Sequence, residues 1–265
     1  MAICGSAIAI SWRFSLAQRR AWATALSSAS PGPATASRTS RWPRSTDIRT
    51  GWVIGGRSGQ ATRSPLDRCM MAAPTGRIID GDHCLLIHAL RTRPRAVVAT
   101  QMSNLGLELG LQAAGMELIR TAVGDRYVLE RMVAEDLPLG GEQSGHVIFR
   151  DYSTTGDGLL TSLRILETAA GAGATLDELA EPMTVYPQVL VNVRFREKRP
   201  LEQLPGVQSA IRAVEAEFGA GGRVFVRFSG TEPLARVMVE GPTQERVESA
   251  ARRIAAAIAA ELGER

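Results

Sequence analysis

Two short stretches hold residues whose types and spacing suit the grip of a small polar molecule. The first is Arg227-Phe228-Ser229-Gly230-Thr231-Glu232-Pro233, with Arg236 just beyond. A strand that ends at Ser229 and turns through Gly230 brings a hydroxyl, exposed backbone N–H groups and the Thr231 hydroxyl together, with two arginines nearby. Such a concave set of donors suits a phosphate dianion, because the amides form a nest and arginine supplies a planar fork of N–H groups. An ordinary glycine-containing hairpin turn with surface arginines reads equally well from the residues alone.

The second stretch is Gly140-Gly141-Glu142-Gln143-Ser144-Gly145-His146. Its glycines permit tight backbone paths close to a ligand. Glu142 and Ser144 lie two apart, so an extended backbone would point both the same way, and a carboxylate beside a hydroxyl can hold vicinal sugar hydroxyls. His146 would stabilise the loop or touch the ligand. A glycine-rich loop with a capping serine and a surface histidine is the competing reading. In Thr154-Thr155-Gly156-Asp157-Gly158, Asp157 reads as a helix N-cap. Gly124-Asp125-Arg126 likewise reads as a helix start, with Arg126 able to reach an anion. His83 and His88 are five apart, poor metal geometry on a helix, and read as structural.

Regular elements must position these loops. Cys69 to Ala73 and Arg77 to Ile79 flank a Pro-Thr-Gly turn and predict a β-hairpin. Gly81-Asp82 predicts a helix start, and the helix runs to about Leu90. Ala96 to Thr100 has the look of a buried strand. Ser103 or Asn104 can cap a helix carrying Leu105, Leu109 and Ala113, Glu117 to Ala122 returns as a strand, and Asp125 can cap the next helix. Asp157 to Ala170 forms an amphipathic helix with Leu159, Leu163 and Leu166 on one side, and Thr175 with Glu178 makes a capping box. Strands alternating with helices imply an α/β layer with a mostly parallel sheet. After Pro187 the pattern changes: alternation over Val189, Val191 and Val193, a helix from about Val207 to Phe218, strands Arg223–Phe228 and Arg236–Glu240, and a terminal helix. That β-α-β-β-α order predicts a small α+β domain with helices on one side of an antiparallel sheet.

Composition splits the chain. Up to Leu66 there are nine arginines against the single acid Asp47, a charge of +8, so the net +4 of the whole chain leaves −4 for the rest. All four tryptophans (Trp12, Trp22, Trp42, Trp52) also lie in this leader. It reads as a transit peptide, as a nucleic-acid-binding arm, or as a segment without evolved function translated from the wrong frame. Lys198 is the single lysine among 31 basic residues, the mark of a GC-rich gene, and this favours the third reading. Little structure is expected there. The expected organisation is therefore a leader over 1–66, a remnant hairpin over 67–80, an α/β domain over 81–183 and an α+β domain over 184–265. No apolar run reaches the length of about 18 residues that a membrane span needs. Cys4, Cys69 and Cys84 fall in no metal-ligand spacing and suggest no disulfide framework, which makes a reducing, cytoplasmic setting the default.

Taken together the two loops resemble those of the α-D-phosphohexomutase family. Gly141 to His146 matches the form G-E-x-S-G-H of its sugar-binding loop, and Arg227 to Pro233 matches the form R-x-S-G-T-E-P of its phosphate-binding loop. Met102-Ser103-Asn104, Val123 to Tyr127 and Thr154 to Gly158 look like the phosphoglucosamine mutase branch. The match runs from about Asp67 to Leu262, the family's third and fourth domains. The resemblance implies interconversion of glucosamine 6-phosphate and glucosamine 1-phosphate through a bisphosphate, an intramolecular phosphotransfer of the isomerase class. In that scheme Glu142, Ser144, His146 and Arg126 would bind a hexosamine phosphate substrate, and Arg227, Ser229, Gly230, Thr231 and Arg236 would hold the phosphate that is not reacting. No membrane or nucleic-acid partner is implied.

The family also carries a phosphoserine loop, S-A-S-H-N-P, and a Mg²⁺ loop, D-G-D-G-D-R. Ser28-Ala29-Ser30-Pro31 echoes the first without its His and Asn and far too close to Asp67. At the second, Arg63-Ser64-Pro65-Leu66-Asp67-Arg68 keeps Asp67 and Arg68 alone, with Arg63 and Pro65 in place of two ligands. Asp67 is thus a remnant metal ligand, Mg²⁺ binding by this chain is not expected, and no catalytic residue can be assigned. The expectation is an incomplete form, without turnover by itself; a non-catalytic sugar-phosphate-binding module is the alternative.

Overall fold

The computed structural model describes residues 9–12, 48–53, 66–197, 199–229 and 232–263. Its chain divides into two compact units, Met1–Ser103 with Leu109–Met183, and Asn104–Glu108 with Thr184–Arg265.

In the first unit, β3 (Met70–Ala72) and β4 (Ile78–Ile79) form the hairpin that the Pro-Thr-Gly turn predicts, with Met71 opposite Ile79. Two further strands, β1 (Ala9–Trp12) and β2 (Ile48–Val53), extend that sheet in the order β1-β2-β3-β4. They fall in the leader, where composition predicts little structure. Ile48, Trp52 and Val53 are strand formers, and β3 offers an edge to pair with, which an argument from overall composition overlooks.

The main sheet of this unit has the order β6-β5-β7-β8, built from β5 (Ala96–Thr100), β6 (Glu117–Thr121), β7 (Leu139–Gly141) and β8 (Val147–Phe149). β5 runs parallel to β6 and β7, and β8 returns antiparallel to β7. β5 is buried along its whole length, as expected for a strand covered on both faces. Ala96, Val98 and Ile148 pack with Val128 and Met132 of α3 (Asp125–Ala134). Phe149 points the other way and meets His88 of α1 (Gly81–Thr92) edge-on, ring centroids 4.9 Å apart.

Local signals place the helices with small corrections. The N-cap of α1 is Asp80, not Gly81-Asp82: the Asp80 carboxylate accepts from the His83 N–H. The side chain of Asn104 accepts from the Gly106 N–H at the start of α2 (Leu105–Ala113). Gly124 occupies the N-cap position of α3, and Asp125 is its first helical residue. Asp157 caps α4 (Gly158–Ala172), and Thr175 with Glu178 forms the capping box of α5 (Leu176–Ala180), both as predicted. The apolar side predicted for α4 is not the buried one. Leu159 and Leu163 are about half exposed, while Thr161, Ser162, Ile165, Thr168 and Ala169 are buried. The Gly158 N–H donates to the Leu66 carbonyl at 2.7 Å, which ties the start of α4 to the backbone beside Asp67.

The second unit follows β9 (Gln188–Arg194), α6 (Pro205–Phe218), β10 (Arg223–Phe228), β11 (Leu234–Glu240) and α7 (Gln244–Leu262). The sheet is antiparallel in the order β10-β11-β9. Val189, Val191, Val193, Val237 and Val239 alternate onto the face that packs against Val214, Ile254 and Ile258 of the two helices. The opposite face carries the polar positions, including Arg227, Arg236 and Glu240. Glu240 is fully buried there; it accepts from Arg223, from Gln188 and from the Leu105 N–H. No helix among the described residues is long and apolar enough to cross a membrane.

Candidate functional site

The loop Gly140–His146 is a hairpin connection, which the sequence pattern did not reveal because β7 and β8 have three residues each. The Gly145 N–H donates to the Glu142 carbonyl at 3.0 Å, and the Glu142 N–H donates to the His146 carbonyl at 2.9 Å. The backbone between Glu142 and Ser144 is therefore a tight turn rather than extended. The turn still gathers the two side chains, and the Ser144 hydroxyl donates to Glu142 Oε2 at 3.1 Å.

Two glycines make this turn possible. Gly145 has φ of +90°, and a Cβ there would collide with the backbone of Cys69. On the other side the Gly81 N–H donates to the Gln143 carbonyl at 3.0 Å, and a Cβ on Gly81 would strike the Glu142 carbonyl. The turn is thus held between the backbones of residues 69 and 81. Glu142 and Ser144 open onto a cavity of about 450 Å³, shared with Arg68, Asp80, Thr100 and Met102. These last four carried no sequence signal for this role. Arg68 stood out only as the end of a degraded metal motif, Met102 only within the Met102-Ser103-Asn104 stretch, and Asp80 not at all, since the helix start was read at Gly81-Asp82.

His146 is buried at 2% exposure and lies outside the cavity lining. Its Nε2 accepts from the Gly156 N–H at 3.1 Å, so the ring proton sits on Nδ1, which is 3.6 Å from Asp67 Oδ2. The ring clamps the Thr154–Gly158 stretch against the hairpin. Arg126 is exposed on α3 and donates to Glu130 Oε1 at 2.7 Å, a carboxylate that raises the guanidinium pKa further. It too lies outside the cavity lining.

In the second unit, Arg227 and Arg236 sit directly opposite each other on β10 and β11, and Asn192 of β9 faces Arg236 from the other side. Like charges so placed repel. Arg236 reaches Glu232 Oε2 only at 3.8 Å, and its buried Nε has no hydrogen-bond partner among the described residues. Ser229 is buried; its N–H donates to the Leu234 carbonyl, and its hydroxyl accepts from the Glu232 N–H at 3.3 Å, closing the turn. Gly230 and Thr231 lie outside the described residues. What is described is a cationic pair beside the Ser229–Glu232 contact, with one buried guanidinium donor unpartnered among the described residues.

The residues present do not fit a magnesium ion. Asp67 Oδ2 is 4.0 Å from Arg68 Nε and 3.6 Å from His146 Nδ1, and no group of three His, Cys, Asp or Glu among the described residues could hold a metal. Mg²⁺ prefers octahedral oxygen ligation, often with carboxylates, and one carboxylate beside a guanidinium does not supply it.

Comparison with known proteins bears on both loops. Residues 80–186 match the α/β/α domain III of phosphoglucomutase/phosphomannomutase, and residues 190–257 match the C-terminal domain of the same family. The phosphoglucosamine mutase of Solibacter usitatus is 55% identical over 212 residues, which are 78% of this chain and 48% of that protein. That of Frankia alni is 49% identical over 77% of this chain and 46% of its own length. The chain thus spans about half the length of the curated relatives it matches. Among solved structures, the N-acetylphosphoglucosamine mutase of Aspergillus fumigatus, in complex with GlcNAc-6P and magnesium, shares the fold with a TM-score of 0.58 at 22% identity, over 73% of this chain and 50% of that one.

Proposed function

The chain belongs to the phosphoglucomutase/phosphomannomutase family, carrying its third and C-terminal domains, and from that premise we propose that it is the sugar- and phosphate-holding part of a phosphoglucosamine mutase. The activity proposed for the whole protein is the interconversion of glucosamine 6-phosphate and glucosamine 1-phosphate through a bisphosphate. Within it, Glu142 and Ser144 accept and donate hydrogen bonds to ring hydroxyls. Arg227 and Arg236, with Ser229, Gly230 and Thr231, hold the phosphate that is not reacting. Such contacts orient the sugar rather than break a bond. His146 acts by fixing the hairpin, and Arg126 is assigned to the substrate side only as an outlying charge.

The observation that carries this reading is the opposed pair Arg227 and Arg236, with a buried Arg236 Nε that lacks a partner among the described residues. A buried donor without an acceptor costs about 1–3 kcal/mol, and an anionic ligand would supply the acceptor. Magnesium comes to this chain only through its relatives, and no step is routed through it. The free, buried thiols of Cys69 and Cys84 accord with a reducing cytoplasm.

A titration of the chain with glucosamine 6-phosphate, followed by amide NMR shifts, tests the proposal. Saturable shifts at both Glu142–Ser144 and Arg227–Ser229 are expected. Shifts at neither loop at millimolar ligand would sink it. The second reading, a sugar-phosphate-binding module without catalysis, is favoured by Asp67 facing Arg68 and His146 instead of further carboxylates; turnover measurements separate the two.

A further inference from the structure

We infer that Asp80 reads the amino group of the sugar, and so sets the preference for a hexosamine phosphate over the corresponding hexose phosphate. The inference rests on the function proposed above and adds a residue to it.

Asp80 caps α1, but the cap uses only one carboxylate oxygen. Oδ1 accepts from the His83 N–H at 3.1 Å and from His83 Nδ1 at 2.6 Å. Arg77 can only donate, and its Nη2 lies 3.3 Å from His83 Nε2, so Nε2 accepts and Nδ1 carries the proton given to Asp80. Arg77 Nη2 is itself held by the Met183 carbonyl at 3.2 Å. This chain of contacts fixes the carboxylate. Oδ2 has no donor among the described residues, and Asp80 lines the cavity that Glu142 and Ser144 open onto.

The charge of that cavity points to its ligand. Its lining holds the carboxylates Asp80 and Glu142 against the single guanidinium of Arg68, which also lies 4.0 Å from Asp67. An acidic lining of this kind repels a bare phosphate and attracts a cation. A sugar carrying an ammonium satisfies it, with Glu142 and Ser144 left for hydroxyls. Gly81 places Asp80 here, because its N–H donates to Gln143 and brings the start of α1 against the turn. A capping role alone requires neither the cavity nor the acidic balance.

The test is calorimetric titration of the whole chain with glucosamine 6-phosphate and with glucose 6-phosphate, at a pH where the sugar amine is an ammonium. Asp80→Asn keeps an N-cap residue of equal quality, so the helix survives while the charge goes. The wild-type chain is expected to bind the amino sugar about tenfold more tightly, the worth of one hydrogen bond to a charged group, and D80N to bring that ratio to about one. A wild-type ratio near one, or a D80N ratio still near tenfold, overturns the inference and leaves the proposed function standing. Binding of neither sugar phosphate by the wild-type chain overturns both.

Discussion

Arg227 and Arg236 face each other across two strands, and their repulsion is a stability cost that the proposed phosphate contact would offset. The two effects have opposite signs and can be separated. Arg236→Gln removes the repulsion and is expected to raise stability by about 0.5 kcal/mol in urea, while weakening glucosamine 6-phosphate binding at least roughly tenfold. A variant that loses stability and keeps affinity would contradict the assignment. His88 gives a residue-level pH dependence. Burial, with Arg164 and Arg91 nearby, lowers its pKa from 6.5 to about 4. The unfolded chain therefore binds a proton that the folded chain refuses between those values. Stability from this residue is complete above pH 6.5 and falls by roughly 1.4 kcal/mol per unit as pH drops toward 4. His88→Leu removes the titrating ring and is expected to flatten the dependence of the urea midpoint between pH 6 and 4. Both loops were legible in the sequence as sets of residue types, but their partners were not. Nothing local says that Arg236 lies opposite Arg227, or that Asp80 shares a cavity with Glu142.

At the scale of elements, the hairpin β7–β8 and the start of α1 hold the Glu142–Ser144 turn between two backbones. The contact depends on the missing side chain of Gly81. Gly81→Ala forces a methyl group into the Glu142 carbonyl and is expected to cost about 1–3 kcal/mol, the range for overpacking. The displaced turn should also lose sugar-phosphate affinity; a G81A chain with wild-type stability and affinity would show that the contact does not matter. Two helix caps were legible, since Asp157 and the Thr175–Glu178 box follow from residues three apart, whereas the caps of α1 and α3 lay one residue before the predicted positions. The buried side of α4 was not legible. Leu159 and Leu163 mark an apolar stripe, but Thr161, Ser162, Ile165, Thr168 and Ala169 are the residues turned inward. Periodicity identifies a stripe without saying which neighbour meets it.

For the whole molecule, the question is whether holding a sugar phosphate suffices for transfer. Phosphoryl transfer needs a phosphorylated donor group and neutralisation of the moving charge. Asp67 is placed beside Arg68 and His146, and the sequence offers no counterpart of the family's phosphoserine loop. The purified 265-residue chain is therefore expected to show no mutase turnover in a coupled assay with Mg²⁺ and glucosamine 1,6-bisphosphate. A chelator is expected to leave its affinity for glucosamine 6-phosphate unchanged, because the proposed phosphate contacts come from Arg227, Arg236 and the turn beside them rather than from a cation. Turnover at ordinary enzymatic rates would refute the first expectation, and chelator-sensitive binding the second.

The sequence by itself determined what depends on neighbours a few residues apart. That covers the two loop motifs, the capped helices, the β-α-β-β-α order of the second unit and the contrast between an arginine-rich leader and the rest. Only the tertiary structure decided what depends on distant residues meeting. It closed Glu142 and Ser144 into a tight turn, buried His146 against Gly156 and Asp67, opposed Arg227 to Arg236 and brought Asp80 to the cavity that Glu142 and Ser144 line. The reason is physical. Caps and periodicity are set by local backbone geometry, whereas strand register and glycine-mediated contact arise when segments far apart in the chain pack together.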